Sequence, residues 1–369
     1  MSKMTKKFRT RPSAGTVMTV TGPVASGALG VILPHEHILI DIRNQFVEPS
    51  CPEKARIGRE RVSMAHLGLL RRTPYALKDN LVIADLDLAV AEVGRFKSAG
   101  GRTIVDCTVT GIGRDVRKLR EAARRTGLNI IAGCGYFTAD THPPTMTAWT
   151  ADDIAEQLIS DLTVGIDGTG IKAGIIGEIG VSHPAAPHEV KNLRAAAIAH
   201  KRTDVPVYVH TYPWSRAGLM AAGLLLEEGV APEKIVICHT DVECRLPYMK
   251  SVLSKGVFLE FDNFGKEFYI NRADRGFAGG SFSTDIERVR TIRKLLEQGF
   301  GNRILITNDV CLKSMLHAYG GWGYDHILTN ITPMMLDENI PQETINRFLM
   351  DNPARLLVPA VRRMRDKRS

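Results

Sequence analysis

Short apolar segments alternate with helical segments along most of the chain, and this alternation limits the possible folds more than any other feature. Segments of strand length and apolar character occur near residues 30, 105, 131, 175, 207, 236, 258 and 305. A segment with helical patterning lies between each strand segment and the next, except for the irregular connection between the first two strands. One example is the segment 114–126, which ends at Gly127. Short apolar strands separated by helices predict a parallel sheet that is buried on both faces.

Eight such strands in 369 residues predict a (β/α)8 barrel (TIM barrel), with a short N-terminal β-hairpin and long loops at the strand ends. A doubly wound sheet is the alternative, but no Gly-x-Gly-x-x-Gly motif follows an early strand. We expect this barrel to form one domain over 16–358, between basic flexible tails at 1–15 and 359–369. The segment 45–82 breaks the regular pattern and is expected to be irregular or functional.

The net charge of +8 is concentrated at the two ends of the chain. The first eleven residues contain five Lys or Arg, and the last eight contain five against one Asp, so the body is nearly neutral. A nucleic-acid binder would concentrate positive charge on a folded face, so we expect no nucleic-acid partner. No apolar run reaches the roughly 18 residues of a membrane span, and no signal region is evident, so we expect no membrane association and a cytoplasmic location.

Six cysteines without a Cys-x-x-Cys pair fit a reducing compartment.

The sequence Pro34-His35-Glu36-His37 ends the first apolar strand. Alternate residues of an extended segment point to the same side, so His35 and His37 can reach one metal ion, whereas Glu36 points away. An isolated His-x-His more often consists of one surface histidine and one core histidine, because short motifs match by chance. Assignment to a metal site therefore depends on ligands at other strand ends.

Other strand ends carry such ligands. Functional residues of a (β/α)8 barrel gather where its strands end. Besides the first two histidines, these ends carry imidazole and carboxylate side chains, namely Glu178, His210, His239 and Asp309. Each has an ordinary explanation when taken singly, such as an ion pair or a helix cap. Together they predict a site for divalent metals, and six ligands favour two ions that share a carboxylate.

The chain resembles the phosphotriesterase family of the amidohydrolase superfamily, including its phosphotriesterase-related and lactonase-like members. The matching segments follow one another along nearly the whole chain, at 30–37, 168–180, 209–211, 238–241, 307–309 and 352–355. The resemblance implies that His35, His37 and Asp309 hold one metal and that His210 and His239 hold the other. It also implies a small-molecule substrate and a homodimer.

Two positions depart from the pattern of the family. Many members bridge their metals with a carbamylated lysine on the fourth barrel strand, but here Glu178 follows Gly177, as in the branch that uses a glutamate. The resemblance therefore implies that Glu178 is the bridge. Phosphotriesterases also carry an aspartate three residues after the sixth-strand histidine, where this chain has Val242 and places Asp241 one residue earlier. This second departure argues against efficient organophosphate hydrolysis.

The expected function is that of a binuclear metal-dependent hydrolase, which attacks a small carboxylic ester, lactone or amide with a metal-bridging hydroxide. Zinc is the expected metal, although manganese, cobalt and iron accept the same ligands. Asp309 is expected to accept a proton and pass it to the leaving group. Tyr136 matches the position where lactonase-like members place a tyrosine near the substrate carbonyl, although an aromatic ring packed over the barrel mouth explains it equally well. The alternatives are an organophosphate triester hydrolase and a metal-bound barrel that binds ligands without catalysis.

Loops at the strand ends are expected to set the choice of substrate. Three cationic residues in these loops are candidates for an anionic substrate group, namely Lys266, Arg272 and Arg245. Most lysine and arginine side chains lie in solvent, so we expect all three at the exposed surface.

Overall fold

The structure is a computed structural model and describes residues 15–272 and 278–359. Its strands are β1 Thr16–Thr19, β2 Gly22–Ala25, β3 Ile32–Glu36, β4 Ile40–Asp41, β5 Val82–Ile83, β6 Thr103–Asp106, β7 Asn129–Cys134, β8 Ile175–Val181, β9 Val207–Thr211, β10 Ile235–Ile237, β11 Phe258–Phe261 and β12 Ile304–Ile306. Its α-helices are α1 Pro52–Ile57, α2 Leu67–Leu70, α3 Leu86–Ser98, α4 Val116–Thr126, α5 Ala151–Thr163, α6 Pro187–Thr203, α7 Ala217–Glu227, α8 Leu246–Leu253, α9 Asp285–Leu296, α10 Thr332–Asp337, α11 Gln342–Asn346 and α12 Asn352–Leu357. Among the described residues, no helix combines the length and the apolar character of a membrane span. The predicted tails lie almost wholly outside the described residues.

Eight strands form one parallel sheet in the order β3, β6, β7, β8, β9, β10, β11 and β12. The first and last strands of this order, β3 and β12, meet at their carboxyl ends and close the barrel. There Thr307 Oγ1, just after β12, donates to the backbone oxygen of His35 at 2.8 Å. Glu36 adds to this closure by accepting from the backbone N–H groups of Asn308 and Val310 at 2.9 and 2.8 Å. The predicted (β/α)8 barrel is confirmed.

The side chains of the barrel strands alternate between two buried layers, as the two-residue period of a strand requires. Val105, Tyr208 and Leu305 pack together inside the barrel. Their neighbours Ile104 and Val209 pack outside it, in the larger core that includes the helices. Because both faces are apolar, the polar chemistry of the barrel is confined to its ends.

Local sequence explains where several helices begin and end. Thr150 caps α5 and Thr284 caps α9, each in a capping box with the acidic residue three positions later. Gly127 ends α4 with φ +66°, a left-handed conformation that favours glycine. The helices predicted at 114–126 and from Thr150 are thereby confirmed.

Two additions complete the barrel. The predicted hairpin forms between β1 and β2, and Val20 N donates to Ile130 O at 2.8 Å, which fixes the hairpin to β7. The segment 45–82 contains the short α1 and α2 and leads into β5, which pairs with β4. From this segment Tyr75 reaches the carboxyl-terminal mouth of the barrel.

Candidate metal centre

The six predicted ligand residues lie together at the carboxyl-terminal end of the barrel. His35, Glu178 and His210 lie in β3, β8 and β9, whereas the other three follow β3, β10 and β12, namely His37, His239 and Asp309. All six are buried. The structure therefore brings together residues that are up to 274 positions apart in the sequence, from His35 to Asp309.

The carboxylate of Glu178 lies between the histidines. Its Oε1 atom is 3.4 Å from Nε2 of His37. Its Oε2 atom is 3.2 Å from Nδ1 of His210, 3.3 Å from Nε2 of His239 and 3.6 Å from Nε2 of His35. One carboxylate thus reaches all four imidazoles, which is the placement that a shared metal ligand requires.

Asp309 lies on the β3 side of this cluster. Its Oδ1 atom is 3.1 Å from Nε2 of His37 and 3.9 Å from Nε2 of His35, and its Oδ2 atom pairs with the ammonium of Lys266. Burial raises the pKa of Asp309, but Lys266 and the two histidines outweigh burial and hold this pKa well below its usual range. Asp309 is therefore an ionised carboxylate between a cation and two imidazoles.

Second partners orient the imidazoles of β3. Thr108 Oγ1 donates its only hydrogen to Leu39 O, so it must accept from Nδ1–H of His37, 2.9 Å away. His35 Nδ1 lies 2.9 Å from Oε2 of Glu260, which as a carboxylate can only accept. In their neutral forms both rings therefore present an unprotonated Nε2 to the cluster, as metal ligands held by a second partner do.

The carboxylates of the cluster favour positive charge near its imidazoles. Burial lowers the pKa of His35, yet Glu178, Glu260 and Asp309 together raise it to about 9. Nδ1 of His210 and Nε2 of His239 lie only 2.8 Å apart. Burial lowers the pKa of His210, and His239 lowers it further, although Glu178 partly offsets both effects. Carboxylates that attract positive charge and facing ring nitrogens together suit a bound cation.

The donor set fits divalent metal ions. Three groups of buried side chains among the described residues place one possible ligand atom each within 4.8 Å of one another. Two of them consist of predicted ligands, namely His35, His37 and Asp309, and His35, Glu178 and His239, and the third contains His35, Cys238, Glu260 and Asp262. Two atoms of the cluster, Nε2 of His35 and Oδ1 of Asp309, are buried without a hydrogen-bond partner among the described residues. Imidazole nitrogen and carboxylate oxygen are ligands of zinc and related ions. These residues can hold a metal, and they do not identify which one.

The sequence patterns did not predict two further carboxylates beside the cluster. Glu260 lies in β11 and Asp262 follows it at the same parity, so both point into the barrel mouth. Oδ2 of Asp262 accepts from the backbone N–H of His239 at 2.8 Å and lies 3.1 Å from its Nδ1. An acidic residue at every second position of a strand end is the signal that could have found them.

An open cleft of about 560 Å³ lies against the cluster. Its walls are largely apolar and include Ile40, Ile112, Phe137, Trp214, Phe268 and Leu312. Lys266 also lines the cleft and is only 4% exposed, so its expected place at the solvent-exposed surface was wrong. Of the other two candidate cations, Arg272 is exposed, as predicted. Arg245 is half-buried and donates to the carbonyl oxygens of Pro213 and Ser215.

Tyr136 does not line this cleft with the other residues that the structure describes there. Its ring is buried edge-on to His142 and Trp149, with centroid distances of 6.0 and 6.1 Å. The next residue, Phe137, faces the cluster instead, with its ring centroid 4.5 Å from that of His210. The geometry thus favours the packing explanation for Tyr136, and its catalytic role stays a prediction without support from the structure.

Asp241 belongs to a buried ion network behind the cleft, whereas Val242 lines the cleft itself. Nε of Arg288 donates to Oδ2 of Asp241 at 2.9 Å, and Asn263 donates to both oxygens of the same carboxylate. Burial raises the pKa of Asp241 to about 6, against the lowering effect of Arg288. Asp241 therefore fixes the loop after β11 and does not replace the missing aspartate at Val242.

Arg288→Lys is expected to lower the free energy of unfolding by about 2 kcal/mol, measured by urea titration. Arg288 is fully buried, and its planar guanidinium joins Asp241, Asp285 and the backbone oxygen of Lys266 at 2.9, 3.1 and 3.1 Å. A lysine keeps the charge but cannot reach all three acceptors. The control Arg290→Lys, at an exposed pair with Glu338, should cost less than about 0.5 kcal/mol. Equal losses in the two variants would contradict the role given to this network.

Comparison with known proteins places the chain among metal-dependent hydrolases. An N-acetyltaurine hydrolase from Rattus norvegicus is 35% identical over 350 residues, which cover 93% of this chain and 98% of that protein. A resiniferatoxin-binding protein from Rhodobacter sphaeroides has a similar structure, with a TM-score of 0.90, 38% identity and coverage of 93% and 95% of the two chains. A mutant PTE-like lactonase from Deinococcus radiodurans superimposes with a TM-score of 0.71 at 28% identity, with 93% and 100% covered. The sequence model of the phosphotriesterase family matches residues 15–357, and the chain therefore belongs to this family of metal-dependent hydrolases.

Proposed function

We propose that the protein is a binuclear metal-dependent hydrolase of a small carboxylic amide, ester or lactone. The position of Glu178 carries this proposal, because its carboxylate is within 3.6 Å of ring nitrogens from all four histidines. On one side, His35, His37 and Asp309 would hold one ion. On the other, His210 and His239 would hold a second, with Glu178 shared between the two.

The residues around the metals would supply proton transfer and exclude water. Divalent ions held here would supply a nucleophilic water of lowered pKa and would polarise the substrate's carbonyl oxygen. Asp309, ionised and at the cleft, would take a proton from the attacking water and deliver it to the leaving amine or alkoxide. Phe137 and Trp214 would exclude water from the scissile group and hold it in place.

The relatives favour an amide among the three substrate types. N-Acetyltaurine, named for the relatives from rat and several other vertebrates, is a small carboxylic amide. A PTE-like lactonase among the similar structures supports a lactone as a second substrate type. Val242, an apolar residue at the cleft where phosphotriesterases have an aspartate, argues against the organophosphate alternative.

A substrate panel with metal analysis tests this proposal. Purified protein would be assayed for metal by elemental analysis and for turnover of N-acetyltaurine, a γ-lactone, an aryl ester and an aryl phosphotriester. We expect about two divalent ions per chain and turnover of the amide, lactone or ester above that of the phosphotriester. One ion per chain would refute the binuclear centre, and turnover of the phosphotriester alone would favour the alternative. Bound metal without turnover of any substrate would favour a binding protein.

Removal of the metals should lower the melting temperature by about 5 °C, as measured by differential scanning fluorimetry. The reason is that buried carboxylates such as Glu178 and Asp309 would lose the cations that offset their charge. The control is the same chelator already saturated with zinc, which should leave the melting temperature unchanged. An unaltered melting temperature in protein shown to be metal-free would contradict a structural contribution of the site.

Zinc, a homodimer and a cytoplasmic location complete the proposal. The imidazole-rich donor set supports zinc as the bound metal. Elemental analysis of protein purified without added metal would identify the metal. The homodimer is supported by the family resemblance, and light scattering of the purified protein decides it.

A further inference from the structure

Lys266 is a cation built into the wall of the cleft. Its side chain is only 4% exposed, and its ammonium pairs with Oδ2 of Asp309. The ion pair with the carboxylate of Asp309 stabilises the charged form of this ammonium. A charged lysine is seldom buried unless it has a structural or a ligand-binding role.

The chain around Lys266 holds it in this inward position. Gly265 has φ +84°, a left-handed conformation suited to glycine, and its N–H donates to Asp285 at 2.9 Å. The N–H of Lys266 donates to Asn263 O at 3.0 Å, and its carbonyl accepts from Nη2 of Arg288 at 3.1 Å. Both backbone polar groups of Lys266 are thus fixed by buried residues, so its direction is determined by the fold.

No other lysine or arginine is among the described residues that line the cleft. The remaining charged groups there are the proposed metal ligands, and the wall away from them is apolar or neutral. A lysine ammonium has three donors, of which one is donated to Asp309 and a second can be donated to the sulfur of Cys311, so one donor is left for an anion. Once divalent cations offset the charge of Asp309 and Glu178, the charge of Lys266 is no longer balanced by these carboxylates.

We propose that Lys266 binds an anionic group of the substrate, which is therefore a small amide or ester that carries a sulfonate or a carboxylate. This inference rests on the proposed hydrolytic function and names its substrate class. The anion lies beside the metal ligands because Lys266 contacts Asp309, so only a short spacer can separate it from the scissile bond. Apart from the proposed metal site, the described lining offers an anion no cationic side chain other than Lys266.

Matched substrates and a matched variant test this assignment. The substrates are N-acetyltaurine with a sulfonate, N-acetyl-β-alanine with a carboxylate, and neutral N-propylacetamide. In Lys266→Met, we expect kcat/KM for the preferred anionic substrate to fall about 100-fold and that for the neutral amide to change less than about 3-fold. Lys266→Arg should restore part of the loss. The control Lys313→Met removes the lysine of another lysine–aspartate pair, with Asp79, that lies outside the described cleft lining, and should leave the ratio of anionic to neutral turnover unchanged.

A binding measurement separates failure of this inference from failure of the proposed function. 1-Propanesulfonate and butyrate would be titrated into the metal-loaded wild type and Lys266→Met by calorimetry, with metal content checked in both. Binding of either anion by the wild type, lost in the variant, supports the assignment even if no substrate is turned over. Equal loss of anionic and neutral turnover would overturn it and make Lys266 a positioning residue for Asp309. Absence of anion binding and of anionic preference in the wild type would also overturn it.

Discussion

Asp309→Asn is expected to lower kcat about 10³-fold while the fold and most of the bound metal are retained. The carboxylate of Asp309 lines the cleft and can take a proton from the nucleophile, whereas an amide cannot. The substitution suits the backbone, because Asp309 has φ +50° and asparagine is one of the few residues that tolerate a left-handed conformation. Steady-state kinetics with elemental analysis of the same samples measure the effect.

Asp167→Asn is a matched control for this substitution. Asp167 has φ +49°, almost the same backbone conformation, but its side chain is largely exposed and pairs with Arg114 at 3.3 Å. We expect its kcat to change by less than about 2-fold. Because Asp309→Asn also removes the carboxylate partner of Lys266, urea midpoints of both variants should be compared. Full activity in Asp309→Asn would exclude the proton-transfer role.

The barrel and its metal ligands could be predicted because both depend on local pattern. Eight apolar strands set the sheet, and the end of each strand is where a barrel places its functional groups. His35 and His37 are two residues apart at the end of β3 and reach the cluster together, as the period of an extended segment predicts. These two histidines need no knowledge of tertiary contacts beyond the fold class. Glu178 could be predicted from its place on the fourth barrel strand, although β8 is irregular there: its pairing with β9 shifts between Ile176 and Ile179, and Gly177 has φ +120°.

Residues beyond the strand ends could be placed only in part. The alternation of β7 continues past Cys134, because Phe137 shares the parity of Ile131, which packs inside the barrel, and Tyr136 shares that of Cys134 in the outer core. The strand period thus predicts that Phe137, and not Tyr136, faces the cluster. The burial of Lys266, in contrast, depends on a hydrogen bond from Arg288, in a helix 22 residues later, and is not visible in a local sequence pattern.

Glu178→Gln is expected to reduce the bound metal from about two ions per chain to one or fewer, and to lower kcat/KM by more than about 100-fold. Even outer partners of metal ligands cost 10–100-fold when they are removed, so a ligand that reaches four imidazoles should cost more. The amide keeps one neutral oxygen but loses the charge that two cations would share. Elemental analysis after dialysis and steady-state kinetics measure both effects.

Glu92→Gln controls for the loss of a buried carboxylate as such. Glu92 is 3% exposed and accepts from the backbone N–H groups of His317 and Ala318 at 2.9 Å, outside the described lining of the cleft. This variant should lose stability and keep its metals. Two ions retained in Glu178→Gln would contradict the bridging role.

Glu178→Asp separates the charge of this residue from its reach. An aspartate keeps the carboxylate but is shorter by one carbon–carbon bond, about 1.5 Å. From the same backbone it cannot stay within 3.6 Å of nitrogens on both sides of the cluster. We therefore expect the aspartate variant to bind one ion firmly and the second weakly, with turnover restored only by excess metal. If it binds two ions as tightly as the wild type, charge alone holds the pair and the central position of Glu178 is not required.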